Sequence, residues 1–217
     1  MKILIIDDHP MIVDAYINTL SQKKVFPELP KFTVVNTCEE AYLLIDTLTD
    51  ANSFDLAIID QRLPPFAEKN ILCGTDLALL LKKKKPHCKI IMCTSHSEIL
   101  LVYSILKKVE PHGFIVKSDL DSASLCAGIL KVLQGMSFYS STVAFIIAEI
   151  EKKELLLDEC NRHILEYLYK GYKIEDLTEF VPLSVSSIKR RIALLKEAFA
   201  VRENSSLLRE VLLQGFL

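Results

Sequence analysis

The chain has 217 residues, half of them hydrophobic, and its formal net charge is -2. This length and composition exclude a mostly disordered chain and favour two domains, one of ordinary size and one small. The small net charge excludes a general attraction to nucleic acid or anionic membranes, so any such binding requires a local patch of charge.

The six cysteines are scattered, without a Cys-x-x-Cys pair or a histidine-rich metal spacing. This usage is typical of buried thiols in a reducing compartment. The first residues do not have the pattern of a signal peptide. The longer apolar runs, such as 143–148, fall far short of the roughly 20 residues that span a bilayer. We therefore expect a cytoplasmic protein that does not associate with membranes.

Five short apolar runs with the character of strands recur along the first part of the chain, at 3–6, 32–35, 55–59, 89–93 and 113–116. Segments with helical spacing separate them, at 10–22, 39–48, 75–84, 97–108 and 122–133. Continuous apolar strands that alternate with helices predict a parallel sheet covered on both faces. We expect a doubly wound α/β domain with a five-stranded sheet over residues 1–134. Its ligands would bind at the carboxyl ends of the strands.

The alternation of strands and helices stops after Gly135. Residues 135–156 are amphipathic and become charged toward their end, which predicts a linker helix. Residues 157–217 read as helical throughout and predict an all-α domain of four helices. Gly171 and Gly215 stand where two of these helices would stop.

Polar residues follow four of the predicted strands, and they are Asp7, Asp8, Asp60, Thr94 and Lys117. Each acid alone could cap the next helix, and His9-Pro10 does look like a helix start, with Pro10 at the first helical position and His9 as a helix-start residue rather than a phosphate carrier. Together, however, these residues meet at one edge of a parallel sheet. Three carboxylates there favour a hard divalent cation such as Mg²⁺, while Lys117 and Thr94 supply the positive charge and the donor that a phosphoryl group needs. The pattern predicts phosphoryl transfer to a carboxylate, with Asp60 as the nucleophile.

Residues 1–134 resemble the receiver domain of bacterial two-component response regulators, which has a flavodoxin-like fold. The resemblance implies that Asp60, in IIDQRLP, is the phosphoacceptor. It also implies that Mg²⁺ is held by Asp7, Asp8, Asp60 and the backbone carbonyl of Arg62.

The same resemblance implies roles for three further residues. Thr94 and Lys117 would contact the phosphoryl group, and Phe114 would be the aromatic switch that swings inward on activation. The chain departs from the family in two places. Ser118 stands where the family usually has the proline that allows a cis peptide. Residues 64–74 form a longer loop than usual, which we expect to shield the acyl phosphate from water or to narrow the choice of kinase.

The segments IEDLTEF, VPL and SVSSIKRRIALLKEAF have the layout of helix, turn and helix. The second helix has an apolar face and carries four cations elsewhere, namely Lys189, Arg190, Arg191 and Lys196. The stretch 184–200 contains only one acid, Glu197, so its positive charge is concentrated where a groove-reading helix would need it. A small helical bundle with a solvated basic helix is the alternative reading of this pattern.

Residues 157–217 resemble the LuxR-type helix-turn-helix that follows receivers in the NarL group. SVSSIKRRI matches the recognition helix and REVLLQGFL the terminal dimerisation helix. The resemblance implies contacts to double-stranded DNA by Ser187, Lys189, Arg190, Arg191 and Lys196. Asn161 and Arg191 stand where the family usually has an acid and a histidine.

The sequence as a whole predicts a DNA-binding response regulator, with no enzymatic activity beyond its own aspartyl phosphorylation and dephosphorylation. A sensor histidine kinase would phosphorylate Asp60. Phosphorylation would favour a homodimer whose recognition helices lie about one duplex turn apart. The alternatives are a phospho-dependent protein-interaction regulator and a phosphorylation-independent DNA-binding regulator. A phosphatase is disfavoured, because Arg62 occupies the position where a general acid would stand.

Overall fold

A computed structural model describes residues 1–22, 26–49 and 51–213 of the chain. The chain divides into two compact units, Met1–Ala144 and Phe145–Leu217, which we describe separately. The helix stop predicted at Gly215 lies outside the described residues. Within those residues, no helix has both the length and the apolar character that a membrane span requires.

The first unit is built on a parallel sheet of six strands in the order β2-β1-β3-β4-β5-β6. The strands are β1 (Lys2–Ile6), β2 (Lys31–Val35), β3 (Leu56–Asp60), β4 (Lys89–Thr94), β5 (Gly113–Val116) and β6 (Phe138–Tyr139). The central strands β1 and β3 are almost wholly buried, as their continuous apolar sequences predict for strands covered on both faces. The doubly wound parallel sheet is therefore confirmed.

The prediction of five strands is wrong by one, because β6 adds a short edge strand beside β5. It has only two residues, which is too short to give a periodic pattern in the sequence. It forms because the main chain of β5 offers unpaired groups: Phe138 N donates to His112 O at 3.1 Å and Ser140 N to Phe114 O at 3.0 Å.

Five helices cover the two faces of the sheet: α1 (Pro10–Leu20), α2 (Cys38–Asp46), α3 (Gly74–Lys84), α4 (Ile99–Val109) and α5 (Ser122–Leu133). Helices α1 and α5 pack together on one face, where Tyr16 and Ile129 join a core with Ile3 and Ile5 of β1. Helices α2, α3 and α4 lie side by side on the other face. Each fully buried isoleucine in this core contributes about 2 kcal/mol.

Two lysines at the end of α3 bind the ends of the neighbouring helices. Lys82 Nζ donates to Val109 O of α4 at 2.9 Å, and Lys84 Nζ donates to Asp46 O of α2 at 3.0 Å. These ammonium groups satisfy carbonyls that a helix end leaves free and suit the negative end of its dipole. Lys82 and Lys84 therefore join the three helices of this face.

The second unit contains helices around two small apolar clusters. The long helix α6 (Ser141–Leu157) begins in the first unit, and α7 (Glu159–Tyr169), α8 (Val185–Ala198) and α9 (Asn204–Leu213) follow it, with a 3₁₀ helix at Asp176–Glu179. The helix stop predicted at Gly171 is confirmed. Gly171 has φ +90°, and Tyr172 N donates back to Tyr167 O at 3.1 Å, as in a Schellman motif.

The prediction of four helices after residue 157 needs a correction, because the segment 174–180 contains only a short 3₁₀ helix, Asp176–Glu179, and no α-helix. Only Leu177 of Asp176–Glu179 is buried, so packing supports little of this segment. The Thr178 hydroxyl donates to Glu175 O at 3.2 Å and competes with the helical pattern. Pro182 also disfavours helical geometry at Val181, which limits the length of the helix.

Candidate functional site

The polar residues predicted at the strand ends meet at one edge of the sheet. Asp7 follows β1, Asp60 ends β3, Thr94 ends β4 and Lys117 follows β5. The register aligns Asp60 with Cys93, one residue before Thr94. The parallel topology thus brings together residues that are more than a hundred positions apart in the chain.

Lys117 forms a buried ion pair with two of the acids. Its Nζ lies 2.8 Å from Asp7 Oδ2 and 3.1 Å from Asp60 Oδ1. The side chains of Lys117, Asp7 and Asp60 are only 8%, 2% and 3% exposed. Burial of this kind is costly for each charge alone, so the three groups depend on one another.

The pKa values of this cluster follow from burial and from the neighbouring charges. Burial raises the pKa of Asp60, and the Lys117 ammonium only partly opposes this, while Asp7 adds to it. Burial by itself lowers the pKa of Lys117, but the two carboxylates outweigh it and the pKa is raised. Lys117 therefore stays charged at neutral pH. Further positive charge nearby would stabilise the ionised form of Asp60.

Four side chains at this edge could hold a metal ion. Ligand atoms of Asp7, Asp8, His9 and Asp60 all lie within 4.8 Å of one another. Three of them are carboxylate oxygens, and Asp8 is 33% exposed, which leaves room for water. Oxygen donors with partial hydration are the set that Mg²⁺ prefers, so the residues present fit this ion.

His9 belongs to the acidic cluster, although the sequence indicates only a helix start at this position. It is indeed the N-cap residue of α1, but its side chain does not cap the helix. Its Nδ1 lies 2.7 Å from Asp8 Oδ1 and 3.2 Å from Asp7 Oδ1, and its backbone N donates to Asp7 Oδ1 at 3.0 Å. The signal in the sequence was its position directly after the two acids.

Thr94 and Phe114 are both buried, on β4 and β5, the strands that end at this edge and directly before Lys117. Thr94 Oγ1 accepts a hydrogen bond from His96 N at 3.0 Å. Phe114 is fully buried on β5, and its carbonyl accepts from Ser140 N at 3.0 Å. The peptide between Lys117 and Ser118 is trans, which answers the question that the missing proline raised.

A cavity of about 530 Å³ opens beside the cluster. It is lined by Asp8, His9, Gln61, Arg62, Leu63, Pro64, Leu72, Cys73 and Leu101. The long loop 64–74 forms one wall and is itself folded, since Phe66 and Ile71 pair as an antiparallel bridge. The Phe66 ring contacts Tyr42 of α2 edge-on, with ring centroids 5.7 Å apart. The loop therefore has a defined position at the mouth of the site.

The backbone of Asp60 is packed tightly against the start of α3. A Cβ atom at Gly74 would lie 1.9 Å from the carbonyl oxygen of Asp60. Gly74 N donates to Gln61 O at 3.0 Å, which holds the two segments together. Only glycine fits here, and the position of Asp60 depends on it.

All five predicted DNA contacts lie on α8, and four of them form no hydrogen bond or ion pair with a buried side chain in the part of the chain that the structure describes. Lys189 and Arg190 are exposed, while Ser187 and Lys196 are half-buried. Lys189 Nζ lies 3.3 Å from Glu175 Oε1, but both side chains are more than half exposed, so this pair is weak. Lys189, Arg190 and Lys196 give α8 positive charge at its surface.

Arg191 has a different environment, because it is bound inside the second unit. Its Nη1 lies 2.8 Å from Asp158 Oδ1 and 2.8 Å from Asn161 Oδ1. Asn161 is 2% exposed and also donates from Nδ2 to Leu155 O at 3.0 Å. Asp158 is the N-cap of α7. Asn161 and Arg191 both depart from the usual helix-turn-helix pattern, and they contact each other.

Comparison with protein families identifies the first unit. Residues 3–129 match the model of the response regulator receiver domain, which is more than half of the chain. No curated protein matches the chain.

Solved structures of similar fold cover most or all of the chain. A LuxR-family two-component response regulator from Aurantimonas sp. is 21% identical, with 69% of this chain and 96% of that chain covered and a TM-score of 0.56. The RcsB response regulator of Salmonella typhimurium is 18% identical, with 97% of each chain covered and a TM-score of 0.58. RcsB from Salmonella enterica serovar Typhimurium, bound to a promoter in the presence of the phosphomimetic BeF3⁻, is 18% identical, with 96% of each chain covered and a TM-score of 0.58. At sequence identities of 18% to 21%, the similarity to these structures shows a shared fold and no more.

Proposed function

The chain belongs to the response regulator receiver domain family, and we propose that it is a DNA-binding response regulator in which phosphorylation of Asp60 controls transcription. One observation carries this proposal. Lys117 lies between the buried carboxylates of Asp7 and Asp60, at 2.8 and 3.1 Å, at the carboxyl edge of the sheet. The buried ammonium of Lys117 would stabilise the negative charge of a phosphoryl group on Asp60. A metal ion would stabilise the ionised carboxylate of Asp60, whose pKa is raised.

Asp60 is the phosphoacceptor in this proposal. Its Oδ attacks the phosphorus of a phosphohistidine on a sensor histidine kinase, and the phosphorus–nitrogen bond breaks as the phosphorus–oxygen bond forms. Lys117 pairs with the phosphoryl oxygens, and the Thr94 hydroxyl donates a hydrogen bond to one of them. Phe114 serves as the aromatic switch. The protein then has no catalytic activity beyond its own phosphorylation and dephosphorylation.

Asp7, Asp8, Asp60 and the backbone carbonyl of Arg62 would hold Mg²⁺. The ion would neutralise charge on the phosphoryl oxygens during transfer. The clustering of carboxylate oxygens within 4.8 Å of one another supports this set. The open side of Asp8 toward the cavity supports entry of a hydrated ion.

Double-stranded DNA is the proposed partner of the helical unit, with phosphorylation favouring a homodimer. The exposed cations of α8 support this, and one structure of similar fold is bound to a promoter. Ser187, Lys189, Arg190 and Lys196 are available for DNA contact. Arg191 is already bound to Asp158 and Asn161, so we assign it a supporting role.

The domains of this proposal are a receiver at 1–134, a linker helix at 135–156 and a helix-turn-helix domain at 157–217. We place the protein in the cytoplasm, where a histidine kinase and DNA both have access to it. The six free cysteines support a reducing compartment.

The loop 64–74 is proposed to protect the acyl phosphate from water or to narrow the choice of kinase. Its packing against Tyr42 and its place in the cavity wall support this. Deletion of residues 67–72 should shorten the lifetime of the phosphorylated protein or broaden kinase preference. An unchanged lifetime together with an unchanged preference would rule out both roles.

The experiment for the main proposal is incubation of the full chain with Mg²⁺ and acetyl phosphate. Wild type should gain one phosphoryl group by intact mass, shift toward a dimer and bind duplex DNA more tightly. Asp60→Asn should gain none. DNA binding that is equal with and without phosphate would favour a phosphorylation-independent regulator. A phosphate-dependent dimer without DNA binding would favour a protein-interaction regulator.

A further inference from the structure

Asp119 caps a helix that lies far from it in the sequence. It is the last residue of the 3₁₀ helix Lys117–Asp119, and its carboxylate reaches the first turn of α6. Asp119 Oδ2 accepts from Thr142 N at 2.8 Å, and Oδ1 accepts from Thr142 Oγ1 at 2.8 Å. Each carboxylate oxygen therefore accepts a hydrogen bond from Thr142 of α6.

The usual local cap of α6 has a different partner. Ser140 precedes the helix and is 6% exposed, a position where a serine hydroxyl ordinarily accepts from an amide of the first turn. Here Ser140 Oγ accepts from Val116 N at 3.1 Å instead. Capping of the Thr142 amide is left to Asp119.

Lys117 is therefore flanked on both sides by bonds to the start of α6. Val116, directly before it, binds Ser140, and Asp119, two residues after it, binds Thr142. The side chain of Lys117 does not take part in these bonds and pairs with the carboxylates of Asp7 and Asp60. A single short turn thus connects the phosphoacceptor cluster to the first turn of α6.

We propose that Asp119 is a positioning residue that couples Lys117 to the first turn of α6, so that the start of α6 responds to phosphorylation of Asp60. The proposal rests on the proposed function. A phosphoryl group on Asp60 extends beyond the carboxylate, and Lys117 must move to pair with it. Because a 3₁₀ turn of three residues is short and hydrogen-bonded, Asp119 moves with Lys117 and its bonds to Thr142 weaken.

The negative charge of Asp119 strengthens its hydrogen bonds to Thr142. Burial is the largest single influence on the Asp119 pKa and raises it, but hydrogen bonds from Ser140, Thr142 and Ser141 together outweigh burial, so the pKa is lowered. Asp119 is therefore ionised at neutral pH, and charge-assisted hydrogen bonds are stronger than neutral ones. Since α6 continues past Ala144, the end of the first unit, a change at this turn would be carried along one continuous helix beyond that unit.

The test is hydrogen exchange by mass spectrometry on the full chain, before and after phosphorylation with Mg²⁺ and acetyl phosphate. In wild type, exchange of amides 141–144 should rise several-fold on phosphorylation. In Asp119→Ala, exchange should already be about tenfold faster without phosphate, which corresponds to the loss of a helix N-cap. It should then no longer respond to phosphorylation.

Asp121→Ala is the control, because Asp121 also caps a helix with its carboxylate, which accepts from Ser124 N at 2.7 Å, but it is the local N-cap of α5 and forms no hydrogen bond to α6 among the residues that the structure describes. This variant should keep the response of residues 141–144. Thr142→Val, which removes only the hydroxyl bond, should reduce the response, and Thr142→Ser should restore it. These two variants carry the test if Asp119→Ala does not fold.

Phosphorylation of Asp60 is measured by intact mass in the same samples. Absence of phosphate on wild type would count against the proposed function itself. Full phosphorylation with unchanged exchange at 141–144 in wild type would overturn the role of Asp119 alone. An equal loss of response in Asp121→Ala, or full response in Thr142→Val, would also overturn it.

Discussion

The two regions proposed for function differ in how they hold their charges. At the edge of the sheet, Asp7, Asp60 and Lys117 are nearly inaccessible to solvent and bind one another directly. On α8, Lys189 and Arg190 are exposed, and the pair formed by Lys189 is open to water. The first region is a preformed site whose members depend on each other, whereas the second is a surface whose members act one by one.

This difference explains why the first region was the easier one to read from the sequence. A residue at the end of a parallel strand has its location set by the topology, whatever its side chain. For a residue on a surface helix, the sequence pattern indicates only which face of the helix it lies on. A single bond to a residue of the same unit can then change its role. Arg191 is such a case, because Asp158 and Asn161 take up its guanidinium.

The largest effect should come from removing the only ammonium of the buried cluster. Lys117→Met leaves Asp7 and Asp60 buried without a counter-charge, so the free energy of unfolding should fall by about 3 kcal/mol in the absence of divalent ions. Mg²⁺ should restore more stability in the variant than in wild type, because the ion replaces the missing charge. Denaturant unfolding with and without Mg²⁺ measures both effects. An unchanged stability without Mg²⁺ would mean that the charges of this region do not depend on one another.

A methyl group at Gly74 should disturb the site through the backbone of Asp60. Because its Cβ would lie 1.9 Å from the Asp60 carbonyl oxygen, Gly74→Ala should cost about 2 kcal/mol and slow phosphorylation by acetyl phosphate. The control is Gly171→Ala in the helical unit. It should cost about 1 kcal/mol for its positive φ and leave phosphorylation unchanged. Normal phosphorylation of a folded Gly74→Ala protein would contradict this account.

The cations of α8 should differ in how much each contributes to the salt dependence of DNA binding. Lys189→Gln and Arg190→Gln should each reduce the slope of log affinity against log salt by about 0.9, the value for one lost phosphate contact. Arg191→Gln should leave the slope unchanged and lower the free energy of unfolding by about 1 kcal/mol, because its bonds are only partly buried. Lys170→Gln, which alters an exposed pair with Glu166, is the control. A slope that falls as much for Arg191→Gln as for Lys189→Gln would make Arg191 a DNA contact.

The smallest effect is expected at the opposite edge of the sheet, at His112. Its Nδ1 accepts from Ile90 N at 3.2 Å, and burial, followed by Lys89 and Lys82, lowers its pKa. The unfolded state therefore binds more protons, so this stability is complete above about pH 6.5 and is lost as the pH falls below it. Thermal unfolding between pH 7.5 and 5.5 should show a smaller decrease in Tm for His112→Gln than for wild type. Equal decreases in Tm for the two proteins would exclude His112 as the source of the stability lost at low pH.

Several features of the fold were predictable and others were not. The strand ends of β1, β3, β4 and β5 followed from continuous apolar runs, which only a doubly covered sheet explains. The two-residue strand β6 was missed because its pairing depends on free groups of β5 rather than on its own pattern. The sequence pattern predicts an α-helix where Asp176–Glu179 forms a 3₁₀ helix, because a single buried residue gives no reliable period.

The sequence by itself determined which residue types stand at the ends of the strands, and a parallel sheet then had to bring Asp7, Asp60, Thr94 and Lys117 to one edge. The tertiary structure alone decided the pairings that depend on distance and direction. It turned the ring of His9 toward Asp7 and Asp8, and it set the carboxylate of Asp119 on Thr142. The reason is that periodicity in a sequence encodes which face of an element is buried. It does not encode which side chain of another element lies opposite.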